Sequence, residues 1–231
     1  MDGSTADWIQ KVTFTLPENR TTERPSKQER AIVTRKKLIA SARVIFARDG
    51  FEQTSLEEIA SHAGKTRGAF YDNFQNKEDI FFAIFEEDLE LERSAIGAAL
   101  RKSDTLEGRL DLLAECLTAF ISNRERTLLY MEFKTHAIRS ATHHKRLADL
   151  HAIMRMSCSL PEIDEVLPEL AQQSESSKRE LSLAMSGVLD GLAINNLFDP
   201  GILTMEHTKQ HVRKSLDLVI ATALEDCASR Q

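Results

Sequence analysis

The chain has 231 residues, 42% hydrophobic and 29% charged, with a formal net charge of −6. That is enough for one large domain or a small one joined to a larger, and too acidic as a whole for a protein that coats nucleic acid indiscriminately. Nine glycines and five prolines leave few turn residues for an all-β fold. The three cysteines, Cys116, Cys158 and Cys227, are too scattered for a disulfide framework or a metal knuckle, so a reducing, cytoplasmic setting is expected. No run approaches the ~18 consecutive apolar residues of a membrane span. The first residues also lack the basic-then-apolar layout of a signal peptide, so no membrane partner is expected.

In chain order, residues 1–27 mix Thr, Ser, Pro and charges and are expected to form an arm. A helix follows from about Gln28, with Leu38, Ala42, Ile45 and Phe46 on one stripe and Arg35, Lys36 and Lys37 outside it. Gly50 ends it, since glycine takes the left-handed C′ conformation without steric cost. A short helix opens at Thr54-Ser55, where either Thr54 with Glu57 or Ser55 with Glu58 supplies a capping box, and ends at Gly64. A third begins behind Thr66 as N-cap and sends Phe70 and Phe74 into the same core. After 76–78 comes a long helix carrying Ile80, Phe81, Phe82, Ile84, Phe85 and Leu91. Further helices are expected at 105–122, 125–140, 142–157, 176–198 and 204–226, broken by Pro161, Pro168 and the 199–201 turn. The fold class is all-α, with an arm at 1–27, a three-helix head at 28–75 and a larger helical domain at 76–231.

The total charge hides a partition. From residue 20 to residue 77 there are twelve Lys/Arg against seven Asp/Glu, a net of +5. From residue 81 onward there are seventeen against twenty-four, a net of −7. A basic segment on an acidic body suits a DNA-reading head on a regulatory domain, although solvated faces also cluster charge.

Residues 54–80, TSLEEIASHAGKTRGAFYDNFQNKEDI, read as a helix, a glycine-containing turn and a second helix. In such a unit the first helix braces the second, whose start faces the major groove while its far side packs on the core. Phe70 and Phe74 define the buried side; Arg67 and Tyr71, four apart, share a neighbouring one. Arg67 near the helix start suits a bidentate pair with a guanine edge. Gly68 lets the backbone approach DNA closely, and Tyr71 and Asn73 offer neutral donors to phosphate.

The ordered elements Gly-Phe, Thr-Ser-Leu-Glu-Glu-Ile-Ala, Ala-Gly, Thr-Arg-Gly-Ala-Phe-Tyr and Phe-x-Asn-Lys-Glu, spread over about 36–85, resemble the DNA-binding head of the TetR/AcrR family of transcriptional regulators. The resemblance implies that Thr54 and Ser55 touch phosphate, that Lys65, Thr66, Arg67 and Gly68 lie at the groove, and that Tyr71, Asn73 and Lys77 hold the DNA backbone. Lys65 stands where many relatives carry a small apolar residue, and Asn73 where many carry histidine. It further implies a ligand-released repressor, acting as a homodimer on double-stranded, pseudo-palindromic operator DNA.

In the C-terminal part the family implies a ligand cavity among the middle helices and a dimer interface on the last two. Phe81, Phe85, Leu113, Cys116, Phe120, Tyr130, Met131, Phe133, Met154 and Met185 are candidate lining for an apolar or amphipathic small-molecule effector, or plain core. Asn195 and Asn196 either add polar contacts or face solvent. Val212, Leu216, Val219 and Ala223 form an apolar stripe, and Gly187 and Gly191 a smooth patch; both suit either a second copy or the same subunit. His207 and His211 stand four apart, and His136, His143, His144 and His151 recur, but no cysteine or carboxylate completes a metal site, so none is assigned. With no nucleophile elbow, phosphate loop, Cys-x-x-Cys or Glu-x-x-His pair, neither an enzyme nor a cofactor is expected. The rival reading is a small-molecule or metal sensor or adaptor that keeps the head without specific DNA binding.

Overall fold

The computed structural model describes residues 26–139, 164 and 167–228. The arm up to residue 25, the expected helix over 142–157, Met154, Cys158, His143, His144 and His151 lie outside the described residues. Among those described, every regular element is a helix. The chain divides into two compact units between Asp88 and Leu89.

In the first unit, α1 (Lys27–Asp49) opens on a capping box. Ser26 Oγ accepts from Glu29 N–H at 3.1 Å, and Glu29 Oε2 accepts from Ser26 N–H at 2.6 Å, so two orphan donors of the helix start are satisfied at once. The stripe of Leu38, Ala42, Ile45 and Phe46 is buried. Gly50 stops α1 at φ 82°, a conformation that costs side-chain-bearing residues and not glycine. The helix α2 (Leu56–His62) takes Ser55 rather than Thr54 as its cap, with Glu58 completing the box. Gly64, at φ 64°, turns the chain into α3 (Arg67–Tyr71), where Thr66 Oγ1 caps Ala69 N–H at 3.2 Å.

The fourth helix, α4 (Lys77–Leu100), starts behind Asn76, whose Oδ1 accepts from Asp79 N–H at 2.8 Å. Its first turns enter the head core. Phe81 meets Phe51 at a tilt, 4.7 Å between ring centroids, and lies edge-on to Phe46 and to Phe85, both at 5.1 Å. Such ring pairs add about 0.5–1.5 kcal/mol each beyond the area they bury. The first compact unit accordingly runs to Asp88, inside α4.

The second unit holds residues 89–100 of α4, then α5 (Leu106–Ser122), α6 (Arg124–Arg139), a 3-10 turn at Pro168–Leu170, α7 (Glu175–Phe198) and α8 (Met205–Ala228). Thr105 and Ser174 cap α5 and α7 through their hydroxyls. Helix α8 packs against α5 and α7, and its Val212, Leu216, Ile220 and Ala223 join Leu110, Ala114, Ile121, Met185 and Ala193 in one core. The 3-10 turn adds Leu167 and Leu170. Polar pairs distant in sequence tie these elements: Arg109 to Glu169, the Gln173 amide to the Ala223 carbonyl, and Lys178 to Asp164 at 2.7 Å. Arg213 gathers Glu107, Asp111 and Asp217 around one guanidinium.

The stripe read from α8 as a surface for a second copy is thereby corrected. Val212, Leu216 and Ala223 are buried within this chain because α8 must cover α5, and Val219 lines an internal cavity. Gly187 and Gly191 do face open space, with nothing within 4 Å of where a Cβ would stand. They lie on α7 among exposed Leu183 and Ile194, while Leu218 is exposed on α8. By length and composition alone α7 would pass for a membrane span, and its Met185 and Ala193 are buried in the core. A search for unbroken apolar runs misses it, because Asp190 and several serines interrupt the sequence.

Candidate nucleic-acid interface and effector cavity

The start of α3 is exposed and carries charge. Thr66, Arg67 and Gly68 are exposed, while Phe70, three residues on from Arg67, is fully buried. One short helix thus presents a polar edge outward and anchors itself with an aromatic. The nearest side-chain atom to an added Cβ on Gly68 is Thr66 Oγ1 at 3.7 Å, so the backbone there is unobstructed. Arg67 donates from Nη2 to the Tyr71 hydroxyl at 3.3 Å and pairs through Nη1 with Glu57 on α2 at 2.8 Å. Tyr71 keeps 47% of its surface exposed, so its ring and hydroxyl remain within reach of a ligand. Lys65 is half-buried in the turn.

The remaining head residues singled out in the sequence divide. Ser55 is half-exposed, with its hydroxyl engaged by Glu58 at 2.8 Å. That network, chiefly the bond from the Ser55 backbone, holds the Glu58 carboxyl below its usual range. Asn73 Nδ2 donates to the Ala69 carbonyl at 2.8 Å, closing the end of α3.

Two residues are corrected. Thr54 is only 3% exposed and donates its hydroxyl to the Gly50 carbonyl at 2.7 Å, so it tightens the α1–α2 turn and is turned away from phosphate. Lys77 is likewise committed: its Nζ donates to the carbonyls of Phe51, Glu52 and Thr54 at 2.7, 3.2 and 3.2 Å. An ammonium has three donors, and all three are used in closing that turn. Arg35, which the sequence reading left among the outward charges of α1, donates to the Asn73 carbonyl at 3.2 Å and stacks on Phe74 at 4.3 Å. It braces α3 from behind, a long-range contact that no local spacing announces.

The second unit holds a partly open cavity of about 230 Å³. Leu113, Phe120, Tyr130, Met131 and Met185 line it, with leucines and isoleucines of α4, α5 and α7. Four of the other candidates are corrected. Phe81 and Phe85 pack on each other in the head core. Cys116 and Phe133 are buried outside the cavity lining, and burial pushes the Cys116 thiol up to about 11, so it stays protonated. Polar groups of the wall come in neutral pairs. Glu92 pairs with Arg126, Asp190 with Lys134 beside the wall, and Lys178 with Asp164. Tyr130 stands among them, with Lys134 Nζ 4.7 Å from its ring centroid. Burial, helped by Asp190, pushes its phenol up to about 12. Glu92 and Asp190 were not among the residues expected here; the signal for Asp190 is a lone carboxylate inside the apolar run of α7.

His207 and His211 are exposed on α8, and among the described residues no three metal-binding side chains come together.

The family model for "Bacterial regulatory proteins, tetR family" matches residues 38–84. The HTH-type transcriptional regulator AcrR of Shigella flexneri is 31% identical over 189 residues, spanning 77% of this chain and 84% of that protein. The chain belongs to the TetR family. The HTH-type transcriptional repressor BepR of Brucella suis is 44% identical over 54 residues, 23% of this chain and 26% of that one. A putative TetR-family transcriptional regulator from Mesorhizobium loti shares the fold with a TM-score of 0.64 at 21% identity, over 84% of this chain and 98% of that chain.

As a TetR-family protein the chain is a DNA-binding transcriptional regulator with a helix-turn-helix head. Its matched span covers α2, α3 and the aromatic start of α4, the segment in which caps, turn glycine and buried rings were legible together.

Proposed function

We propose that this TetR-family regulator is a cytoplasmic repressor acting as a homodimer, which places two copies of α3 in successive major grooves of a pseudo-palindromic operator. The observation that carries the reading is the α3 edge itself: Arg67, Thr66 and Gly68 outward, Phe70 inward. Arg67 is the base reader, suited to guanine O6 and N7. Thr66, Gly68, Lys65, Tyr71, Asn73 and Ser55 supply neighbouring contacts, chiefly to phosphate. The likeness to BepR, a transcriptional repressor, supports repression as the mode.

The open side of α7, with Leu183, Gly187, Gly191 and Ile194, joined by Leu218 of α8, is the surface proposed for the second copy. Small residues there allow close helix approach, and two helices from each copy would close a four-helix bundle. An apolar or amphipathic small molecule in the cavity is the proposed effector. Leu89, Glu92, Ile96 and Leu100 of the cavity wall lie on the same helix as Phe81 and Phe85 of the head core. A ligand with different affinity for two conformations of that helix would shift the population that binds DNA.

The test is selection of bound genomic fragments by the purified full chain, followed by release of the recovered duplex with fractions of small molecules. Sequence-selective recovery and release by at least one apolar fraction are expected. Recovery with no common sequence would sink the operator reading, and binding indifferent to every fraction would sink the effector reading.

A further inference from the structure

Arg67 is not a free cation at the start of α3. Its Nη1 lies 2.8 Å from Glu57 Oε1, its Nη2 donates to Tyr71 at 3.3 Å, and its guanidinium carbon sits 5.5 Å from the Tyr71 ring centroid. The guanidinium is thereby held between the first turn of α2 and the last turn of α3.

The fold gives Glu57 little reason to be there. Its neighbour Glu58 performs the capping role for α2, accepting from Ser55 N–H at 2.8 Å. Glu57 is 55% and Arg67 63% exposed, so the ion pair adds little to stability. A carboxylate beside a DNA-reading edge also repels phosphate and weakens binding to any duplex. What Glu57 does is limit where Arg67 can go. A phosphate oxygen is the competing partner for an arginine at this edge, and a contact there carries no sequence information. Five N–H donors are available on a guanidinium. With one on Glu57 and one on Tyr71, three remain, enough for a bidentate pair with guanine.

We infer that Glu57 is a positioning residue for base recognition: it clamps Arg67 against α2 so that the guanidinium fork meets a base edge, exchanging general affinity for discrimination. The inference rests on the reading of Arg67 as the base reader. Gln at position 57 would keep the hydrogen-bond acceptor and lose the charge, whereas Ala would lose both.

The test uses the full-length protein, a duplex selected by it from a randomised library, every single-base-pair variant of that duplex, and one unrelated duplex. Glu57→Ala is expected to bind the unrelated duplex severalfold more tightly and to lose about tenfold discrimination at one base pair. Glu57→Gln should tighten general binding in the same way while keeping most of that discrimination. In an Arg67→Ala background, Glu57→Ala should change general affinity alone. Two results overturn the inference by itself: Arg67→Ala loses discrimination while Glu57→Ala keeps it, or Glu57→Ala causes a loss of the same size with and without Arg67. Arg67→Ala with discrimination intact at every position overturns the base-reader reading and the inference with it.

Discussion

The head and the body are built from the same element, the apolar-striped helix, but the head joins a few long-range polar bonds, Lys77 to Phe51 and Arg35 to Asn73 among them, to a local set that fixes its exposed edge. In the head the polar bonds that set helix ends join residues three or four apart: Ser26 with Glu29, Ser55 with Glu58, Thr66 with Ala69, Thr54 with Gly50. In the body the fastening pairs span tens of residues: Arg109 with Glu169, Lys134 with Asp190, Arg213 with Asp111. A local code gives a rigid presentation of a few side chains, which DNA reading needs. The body's distant pairs instead fasten elements that surround a cavity.

The comparison breaks most readily at the aromatic cluster. Phe81→Ala removes the ring that Phe46, Phe51 and Phe85 all touch and should cost about 3–5 kcal/mol. Denaturant unfolding should show the head melting early while the body transition moves little; a single shifted transition would argue against two separately stabilised units. Next in size is Arg109→Ala. It leaves Glu169 without its partner, and because Glu169 retains 27% exposure the cost should fall to roughly 2–3 kcal/mol. The loss should appear in the body transition, and DNA affinity measured well below that transition should stay close to unchanged.

This difference in range also explains what the sequence disclosed. Caps, the turn glycines and the i, i+4 stripe of α1 are set by neighbours along the chain, so α1 to α3 and their exposed edge could be read from residue order alone. The inward turn of Lys77 onto three carbonyls, and of Arg35 onto Asn73, depends on elements brought together only by folding. Charge in a DNA-reading segment was therefore counted correctly and assigned to the wrong task. The same limit applied to α8. Its stripe of Val212, Leu216 and Ala223 was visible, but periodicity cannot say whether a stripe meets its own chain or another. In the cavity, Tyr130 and Met185 were found through residue type, whereas the Glu92–Arg126 pair needed the packed helices to exist.

Smaller effects sharpen the contrast. Ser55→Ala should destabilise the head by about 1 kcal/mol, the usual worth of an N-cap. The Glu58 carboxyl, held below its ordinary range by Ser55, contributes stability above its unfolded pKa and loses it as pH falls through the folded value. Head stability followed from neutral to acid pH should therefore decline less steeply in Ser55→Ala than in the unaltered protein. Glu87 goes the other way. Its carboxyl is raised chiefly by burial, so its ionised form is a penalty that is absent below the unfolded pKa and complete above the folded one. Glu87→Gln should raise stability slightly at neutral pH, by less than about 1 kcal/mol given its partial exposure, and do nothing at acid pH. Equal effects at both pH values would refute the assignment.

The central claim is that α3 reads bases through Arg67 while its neighbours hold the backbone. Affinity of Arg67→Ala for the selected duplex and all its single-base-pair variants tests this most directly. The account predicts a loss of about 1–3 kcal/mol of discrimination confined to one base pair in each half-site, with binding to unrelated DNA weakened far less. A uniform loss across all variants, or no loss at any position, would contradict it.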